Sequence, residues 1–332
     1  MAIIGIRKLR YGVEDLGACT RFFTDFGLLP LALEPARAIF SLANGSIVEL
    51  LALDDPAVQG HEMVGAGVKE VTWGVDTMAC LSILRAGLAS DHAIEDGIDG
   101  AFRIRTPVGV LMSFEQWRPT AFATAPDPIN APGVINRLNT HRKWRRVARP
   151  KVINHVVFQV TEFEVAALYM RERLGFRLTD VQQGFGCYLR ADGSNHHHNI
   201  LFLNARAPIP GCDGEARFDH ANFGMEDIDE LMIGVNNMVR QGWEESRIGL
   251  GRHRIDSALF YYFPCPAGGE AEYGADADFL DDSWVPRYFT TPLFAYAHFT
   301  HHIPEFLRVP PPWDFRYLTE AEVQAGRPLS VD

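Results

Sequence analysis

The chain has 332 residues, 47% hydrophobic and 22% charged, which excludes global disorder and suits two modules or one large domain. Acidic residues outnumber basic ones by 42 to 31, so the negative chain is not expected to bind nucleic acid. No apolar stretch approaches the roughly 20 residues of a membrane helix. The five scattered cysteines, without a CxxC pair, favour a reducing cytoplasm.

The first half begins with a strand pattern and an amphipathic helix. Residues 6–31 alternate apolar and polar side chains, then follow helical spacing up to a Phe-Gly stop. Residues 68–81 again predict a strand and a helix. Residues 102–115 predict two strands joined by a turn that contains proline and glycine. The N-terminus lacks the basic-then-apolar order of a secretion signal, so it is interpreted as the start of the first strand.

A connector is predicted between two similar halves. PDPINAPG and HRKWRRVARPK combine proline, glycine and a charge run, which is typical of a solvated linker. Beyond it the patterns of the first half return in the same order, in residues 153–178, 218–231 and 261–274. The order β-α-β-β-β therefore recurs, with about two copies in each half.

A repeated β-α-β-β-β unit whose sheets curl into half-barrels resembles the vicinal oxygen chelate superfamily. The resemblance implies an α+β fold of two tandem modules, each made of two βαβββ repeats that form a curled mixed sheet. The expected divisions, in chain order, are an N-terminal module without metal (1–117), a linker (118–150), a catalytic module (151–282), and a tail that serves as lid or subunit contact (283–332).

Three potential metal ligands stand at matched strand positions of the second half. These are His155, His220 and Glu272. Two imidazoles and one carboxylate can fill one face of an octahedron around Fe(II) and leave the other face open. Their counterparts in the first half cannot complete such a set: Lys8, Glu70 and Ser113. Taken singly, each ligand also has a structural explanation, as a hydrogen-bonded core histidine or an edge-strand carboxylate.

The most specific motif is GRHRIDSALFYYFPCPAGGEAEYG. It places Tyr262 nine residues after His253, then a Pro-Ala-Gly turn, then Glu272 ten residues after Tyr262. This spacing resembles the two-domain type I extradiol dioxygenases, such as catechol 2,3-dioxygenase and dihydroxybiphenyl dioxygenase. Glu270 has the same strand parity but lies two residues short, so Glu272 is assigned. By this resemblance, Tyr262 hydrogen-bonds a deprotonated catechol oxygen and His253 supports that oxygen or the ring.

A run of three histidines precedes a short strand, where the same family has an acid/base histidine. His198 fits this role best, with His197 as the alternative and an incidental solvated loop as the structural explanation. Asn199 follows it, where the family usually has Thr or Ser.

Together these motifs predict an extradiol ring-cleavage dioxygenase that opens a catechol with O2 at Fe(II), with Mn(II) as the alternative metal. The expected partners are a catecholic substrate and O2, without nucleic acid or membrane, and a homo-oligomer is expected. The competing hypotheses are a glyoxalase-like isomerase, a hydroquinone-cleaving dioxygenase and a metal-free binding protein. Four aromatic residues are candidates for an apolar pocket lining: Phe185, Tyr188, Phe218 and Phe260.

Overall fold

The computed structural model describes residues 3–325, and two βαβββ units form its first half. Met1 and Ala2 of the predicted first strand and residues 326–332 of the predicted tail lie outside this range. The first unit contains β1 (Ile3–Val13), α1 (Leu16–Asp25), β2 (Leu29–Glu34), β3 (Arg37–Ser41) and β4 (Ile47–Ala52). The second contains β5 (Gly67–Val75), α2 (Met78–Leu88), β6 (Glu95–Asp96), β7 (Phe102–Arg105) and β8 (Leu111–Gln116).

The second half repeats this order and then adds a tail. Its first unit contains β9 (Val152–Val160), α3 (Phe163–Leu174), β10 (Arg177–Gln182), β11 (Gly186–Arg190) and β12 (Ile200–Asn204). Its second contains β13 (Arg217–Gly224), α4 (Ile228–Arg240), β14 (Gly251–Arg252), β15 (Leu259–Pro264) and β16 (Glu270–Ala275). The tail contains β17 (Arg287–Phe289), α5 (Pro292–Tyr296), β18 (Phe299–Thr300), β19 (Arg316–Tyr317) and α6 (Glu320–Ala325).

Local signals in the sequence explain where the helices begin and end. The Asp15 carboxylate accepts a hydrogen bond of 2.9 Å from the backbone N–H of Ala18 at the start of α1. Asp227 caps α4 in the same way, through the N–H of Glu230 at 2.9 Å. Helix α3 ends at Gly175, whose φ of 72° lies in the left-handed region that glycine adopts at little cost. The glycine stop expected where the helix pattern recurs in residues 153–178 is therefore confirmed.

Each half forms one mixed sheet around a pair of antiparallel central strands. In the first sheet β1 pairs with β5, and the parallel pairs β1–β4 and β5–β8 flank them. In the second sheet β9 pairs with β13, flanked by the parallel pairs β9–β12 and β13–β16. The two sheets remain open, so the predicted α+β fold of paired βαβββ repeats is confirmed.

One hydrophobic core joins the two halves. The rings of Phe26 and Tyr273 stack at 4.0 Å, and the buried Tyr273 hydroxyl donates a 2.6 Å hydrogen bond to the carbonyl of Phe26. Tyr11 meets Phe218 edge-on at 5.4 Å. Phe218, one of the four candidates for the pocket lining, thus packs in the core between the sheets.

The connector and the tail both pack on the second half. Residues 118–150 form no helix or strand, and Lys143 and Arg145 each lie 3.0 Å from the carboxylate of Glu226. These ion pairs engage part of the basic run predicted to be solvated. Strand β17 pairs with β10 and β18 pairs with β14, so tail strands extend the second sheet on both sides. Within residues 3–325, every helix is too short or too polar to cross a membrane.

The turn between β15 and β16 requires glycine at position 268. Gly268 has a φ of 101°, and a Cβ there would lie 2.3 Å from the carbonyl oxygen of Ala66 in the first half. We expect Gly268→Ala to lower the free energy of unfolding by about 3 kcal/mol, since backbone strain and a steric clash add together. Urea denaturation measures this loss. Gly184→Ala is the matched control: φ is 66° there, but no neighbouring atom lies within 4 Å, so about 1 kcal/mol is expected. Equal losses would contradict the clash.

Candidate metal centre

Three adjacent strands bring His155, His220 and Glu272 together. They lie on β9, β13 and β16, at the centre of the second sheet. The Nε2 atoms of His155 and His220 are 3.4 Å apart, and Glu272 Oε2 lies 3.3 Å from the first and 3.4 Å from the second. Ligand atoms about 2.1 Å from an ion and at right angles to each other are about 3.0 Å apart. The triangle therefore suits three neighbouring corners of an octahedron.

The burial of Glu272 supports the same interpretation. This residue is 0% exposed, and within the described chain neither carboxylate oxygen forms a hydrogen bond. A buried carboxylate without a hydrogen-bond partner is costly unless a cation compensates its charge. The donor set thus fits a divalent metal. Glu270, the rejected alternative, is the exposed first residue of β16.

The protonation states of two candidate ligands, Glu272 and His155, suit metal binding. Burial acts to raise the pKa of Glu272, but the imidazoles of His155 and His253 outweigh it, and the pKa lies well below its usual range. Burial lowers the pKa of His155, against the opposing charge of Glu272. An ionised carboxylate and a neutral imidazole are the forms that coordinate a metal.

Asp219 orients His220. Its Oδ1 lies 2.6 Å from His220 Nδ1. The other ring nitrogen of His220, Nε2, therefore faces Glu272. A carboxylate bound to the far nitrogen of a ligating imidazole fixes the ring and its tautomer. Burial acts to lower the pKa of His220, but this hydrogen bond and charge outweigh it, so the pKa is raised. Asp219 was not predicted from the sequence, although its place directly before His220 is a usable signal.

His253 and Tyr262 form a hydrogen-bonded pair beside Glu272. His253 Nε2 lies 3.1 Å from the Tyr262 hydroxyl and 3.9 Å from Glu272 Oε1. His253 Nδ1 donates to the carbonyl of Tyr296 in the tail, because a carbonyl only accepts. In the neutral ring, Nε2 is then free to accept the Tyr262 proton. Phe260 stacks on His253 at 4.0 Å, so one predicted lining residue does border the centre.

His198 lies directly against the candidate ligand His155. The two rings stack at 4.0 Å, and Tyr188 meets His198 edge-on at 5.0 Å. Burial, and then the neighbouring imidazoles, hold the pKa of His198 well below its usual range. His197 lies behind it and has both ring nitrogens engaged, Nδ1 with His198 and Nε2 with Asp180. The structure thus brings all six predicted site residues into one cluster.

Comparisons with known proteins place this cluster in context. No protein-family model matches the chain. It is 27% identical over 131 residues to metapyrocatechase 2 of Cupriavidus necator and 30% identical over 148 residues to an iron-dependent extradiol dioxygenase of Rhodococcus jostii (strain RHA1). The first alignment covers 40% of the chain and the second 41%, and they span 38% and 47% of those relatives, less than half of each. It is 23% identical over 299 residues to a biphenyl-2,3-diol 1,2-dioxygenase of Paraburkholderia xenovorans (strain LB400), which covers 86% of the chain and 92% of the relative.

Comparison with solved structures establishes the fold. The crystal structure of BphC, a halotolerant catechol dioxygenase, aligns over 96% of this chain and 99% of its own, with a TM-score of 0.69 and 16% identity. An Mn(II)-bound glyoxalase from Novosphingobium aromaticivorans aligns over 93% and 95%, with a TM-score of 0.70 and 21% identity. This chain has the vicinal oxygen chelate fold. Its two halves are vicinal oxygen chelate modules.

In the first vicinal oxygen chelate module, an ion-pair network occupies the positions that match the candidate ligands. Ser113 donates a 2.6 Å hydrogen bond to Glu70, which also accepts one of 2.5 Å from Arg10. Lys8 lies 3.5 Å from Glu49. The Arg10 guanidinium thus supplies the positive charge next to Glu70, the counterpart of His220.

Two further site residues of the second vicinal oxygen chelate module were missed in the sequence. Asp256 Oδ2 lies 4.0 Å from His198 Nδ1 and is 3% exposed. Tyr296, from the tail helix α5, contacts His253 through its carbonyl and through its ring at 5.6 Å. Asp256 follows His253 by three residues within a motif already singled out, so it could have been found. Tyr296 lies outside any recognised pattern.

Proposed function

We propose that this chain is an extradiol dioxygenase that opens a catechol ring beside its two hydroxyls. The ligands would be His155, His220 and Glu272, holding Fe(II), with Mn(II) as the alternative. The observation that carries the proposal is a buried two-histidine, one-carboxylate set surrounded by three further groups that can move protons. The names of the relatives support the same chemistry.

Fe(II), when bound, supplies a redox-active Lewis acid at which a catechol and O2 can meet. The chain's own residues then have three tasks. The Tyr262 hydroxyl can hydrogen-bond a catechol oxygen. His253 Nε2 lies 3.1 Å from the Tyr262 hydroxyl and can accept, through that hydroxyl, the proton that the catechol oxygen loses. The low dielectric of these buried side chains strengthens both interactions.

His198 is proposed as the acid/base residue of the oxygen-insertion steps. Its ring lies in stacking contact with the ligand His155, so a proton held there is next to the site of reaction. Its depressed pKa keeps the ring neutral and able to accept a proton. Beside it, an apolar cluster that includes Tyr188, Leu201 and Ile255 favours an aromatic substrate and limits water.

The proposal predicts the product as well as the activity. After anaerobic reconstitution with Fe(II), a panel of catechols should show O2 consumption and a yellow ring-opened semialdehyde or oxo-dienoate, monitored by absorbance. Oxidation of the iron should inactivate the protein, and a mild reductant with added Fe(II) should restore it. A colourless cis,cis-muconate as the sole product, or full activity with ferric iron, contradicts extradiol cleavage.

A glyoxalase-like isomerase is the second candidate function, because an Mn(II)-bound glyoxalase shares this fold. It would convert its substrate without consuming O2. The same O2 measurement therefore separates the two functions.

We further propose a cytoplasmic location, from the unpaired cysteines, and a homo-oligomer, from the exposed tail residues Val309 and Trp313. Sedimentation velocity measures the assembly directly.

A further inference from the structure

A buried chain of polar contacts runs from the tail to His198. It begins at Arg287 on β17, which donates two hydrogen bonds to Asp180 on β10. The backbone N–H of Arg287 lies 2.7 Å from Asp180 Oδ1, and its guanidinium lies 2.5 Å from Oδ2. Asp180 is 0% exposed. Its Oδ2 also lies 2.7 Å from His197 Nε2. A buried carboxylate is thus shared between a guanidinium and an imidazole.

The hydrogen-bond roles along this chain follow from what each atom can do. A carboxylate bound to arginine only accepts, so His197 Nε2 carries a proton. In the neutral ring His197 Nδ1 is then an acceptor, and it lies 3.1 Å from His198 Nδ1. The proton between these two nitrogens therefore belongs to His198. This tautomer leaves Nε2 of His198 as its unprotonated atom.

We propose that His197 is a positioning residue that, backed by Asp180 and Arg287, holds His198 in one ring orientation and in the Nδ1-protonated tautomer. The role of His198 itself rests on the function proposed above. Asp256 Oδ2 lies 4.0 Å from His198 Nδ1, beyond a hydrogen bond, so His197 is the closer acceptor. A wrong tautomer would leave His198 with no lone pair where it must accept a proton, as in hydrolytic triads whose orienting carboxylate is replaced.

Matched substitutions of His197 separate its two contacts. In His197→Asn the side-chain oxygen can replace Nδ1 as the acceptor for His198, whereas in His197→Gln the amide can replace Nε2 as the donor to Asp180. We expect kcat to fall about 10- to 100-fold in His197→Gln, the scale seen when residues that orient side chains at a metal centre are replaced, and to recover largely in His197→Asn. KM for the catechol and the iron content should stay near wild type. Equal kcat values for the two variants would overturn the proposal.

A double-mutant cycle tests whether His197 acts through His198. Adding His197→Leu to His198→Ala should slow the reaction further by less than about twofold, because the residue to be positioned is gone. If His197→Leu slows the His198→Ala protein by the same factor as it slows the wild type, His197 is merely structural and the proposal fails.

The tautomers can be measured without turnover. In protein labelled with 15N-histidine and loaded with diamagnetic Zn(II), proton–nitrogen correlation spectra should show His198 protonated at Nδ1 and His197 at Nε2. A His198 ring protonated at Nε2 refutes the positioning role, whether or not the protein cleaves catechols. Correct tautomers in a protein that consumes no O2 would instead refute the proposed function and leave the positioning in place.

Discussion

Glu272→Ala is expected to weaken Fe(II) binding by at least about a hundredfold and to abolish ring cleavage. Outer residues that merely orient metal ligands already contribute about 10- to 100-fold, and Glu272 would be the only anionic member of the donor set. His155→Ala and His220→Ala should act in the same direction. Iron content after anaerobic reconstitution, and the dissociation constant from titration, measure the effect. Far-UV circular dichroism should show that the fold survives.

Glu270→Ala is the matched control for this experiment. Glu270 lies on the same strand two residues away, with the same parity, but its side chain is exposed, whereas that of Glu272 is fully buried. It should keep near-normal iron content. Iron loss in Glu270→Ala with retention in Glu272→Ala would show that the motif was aligned in the wrong register. Iron retained in all three ligand variants would point to a different centre altogether.

The fold and the grouping of three candidate ligands could be predicted from the sequence because both leave local traces. Strand alternation, helix stops such as Gly175 and the recurring βαβββ order are short-range patterns. His155, His220 and Glu272 stand at matched points of that repeat, so the alignment of the two halves was enough to group them.

Contacts between distant segments could not be predicted in this way. Arg287 meets Asp180 across 107 positions, and Tyr296 meets His253 across 43. Neither pair belongs to a motif, and both depend on how the tail returns to the sheet. The position of Phe218, a candidate for the pocket lining, also depends on such a contact. The register between β13 and β9 shifts between Phe218 and His220, and the Phe218 side chain meets Tyr11 of the first module.

His198→Ala should separate chemistry from metal binding. We expect near-normal iron content and catechol binding, with turnover at least roughly a hundredfold slower, the usual scale for loss of a general acid/base. The reason is geometric: His198 stacks on the candidate ligand His155 but contributes no atom to the His155–His220–Glu272 triangle. Single-turnover kinetics of the anaerobic catechol complex mixed with O2 measure the slowed step directly.

Alanine at His197 and alanine at His198 should slow turnover to different extents. Within residues 3–325, the hydrogen bonds of His197 link it to the centre through His198, so His197→Ala should impair turnover less than His198→Ala does. The reverse order would make His197 the acid/base residue and shift the assignment by one position. Iron loss in His198→Ala would make it a ligand, and normal turnover in both variants would make the histidine run incidental. Slow turnover with iron retained, together with a larger effect at His198 than at His197, agrees with His198 as a proton-transfer residue that His197 positions.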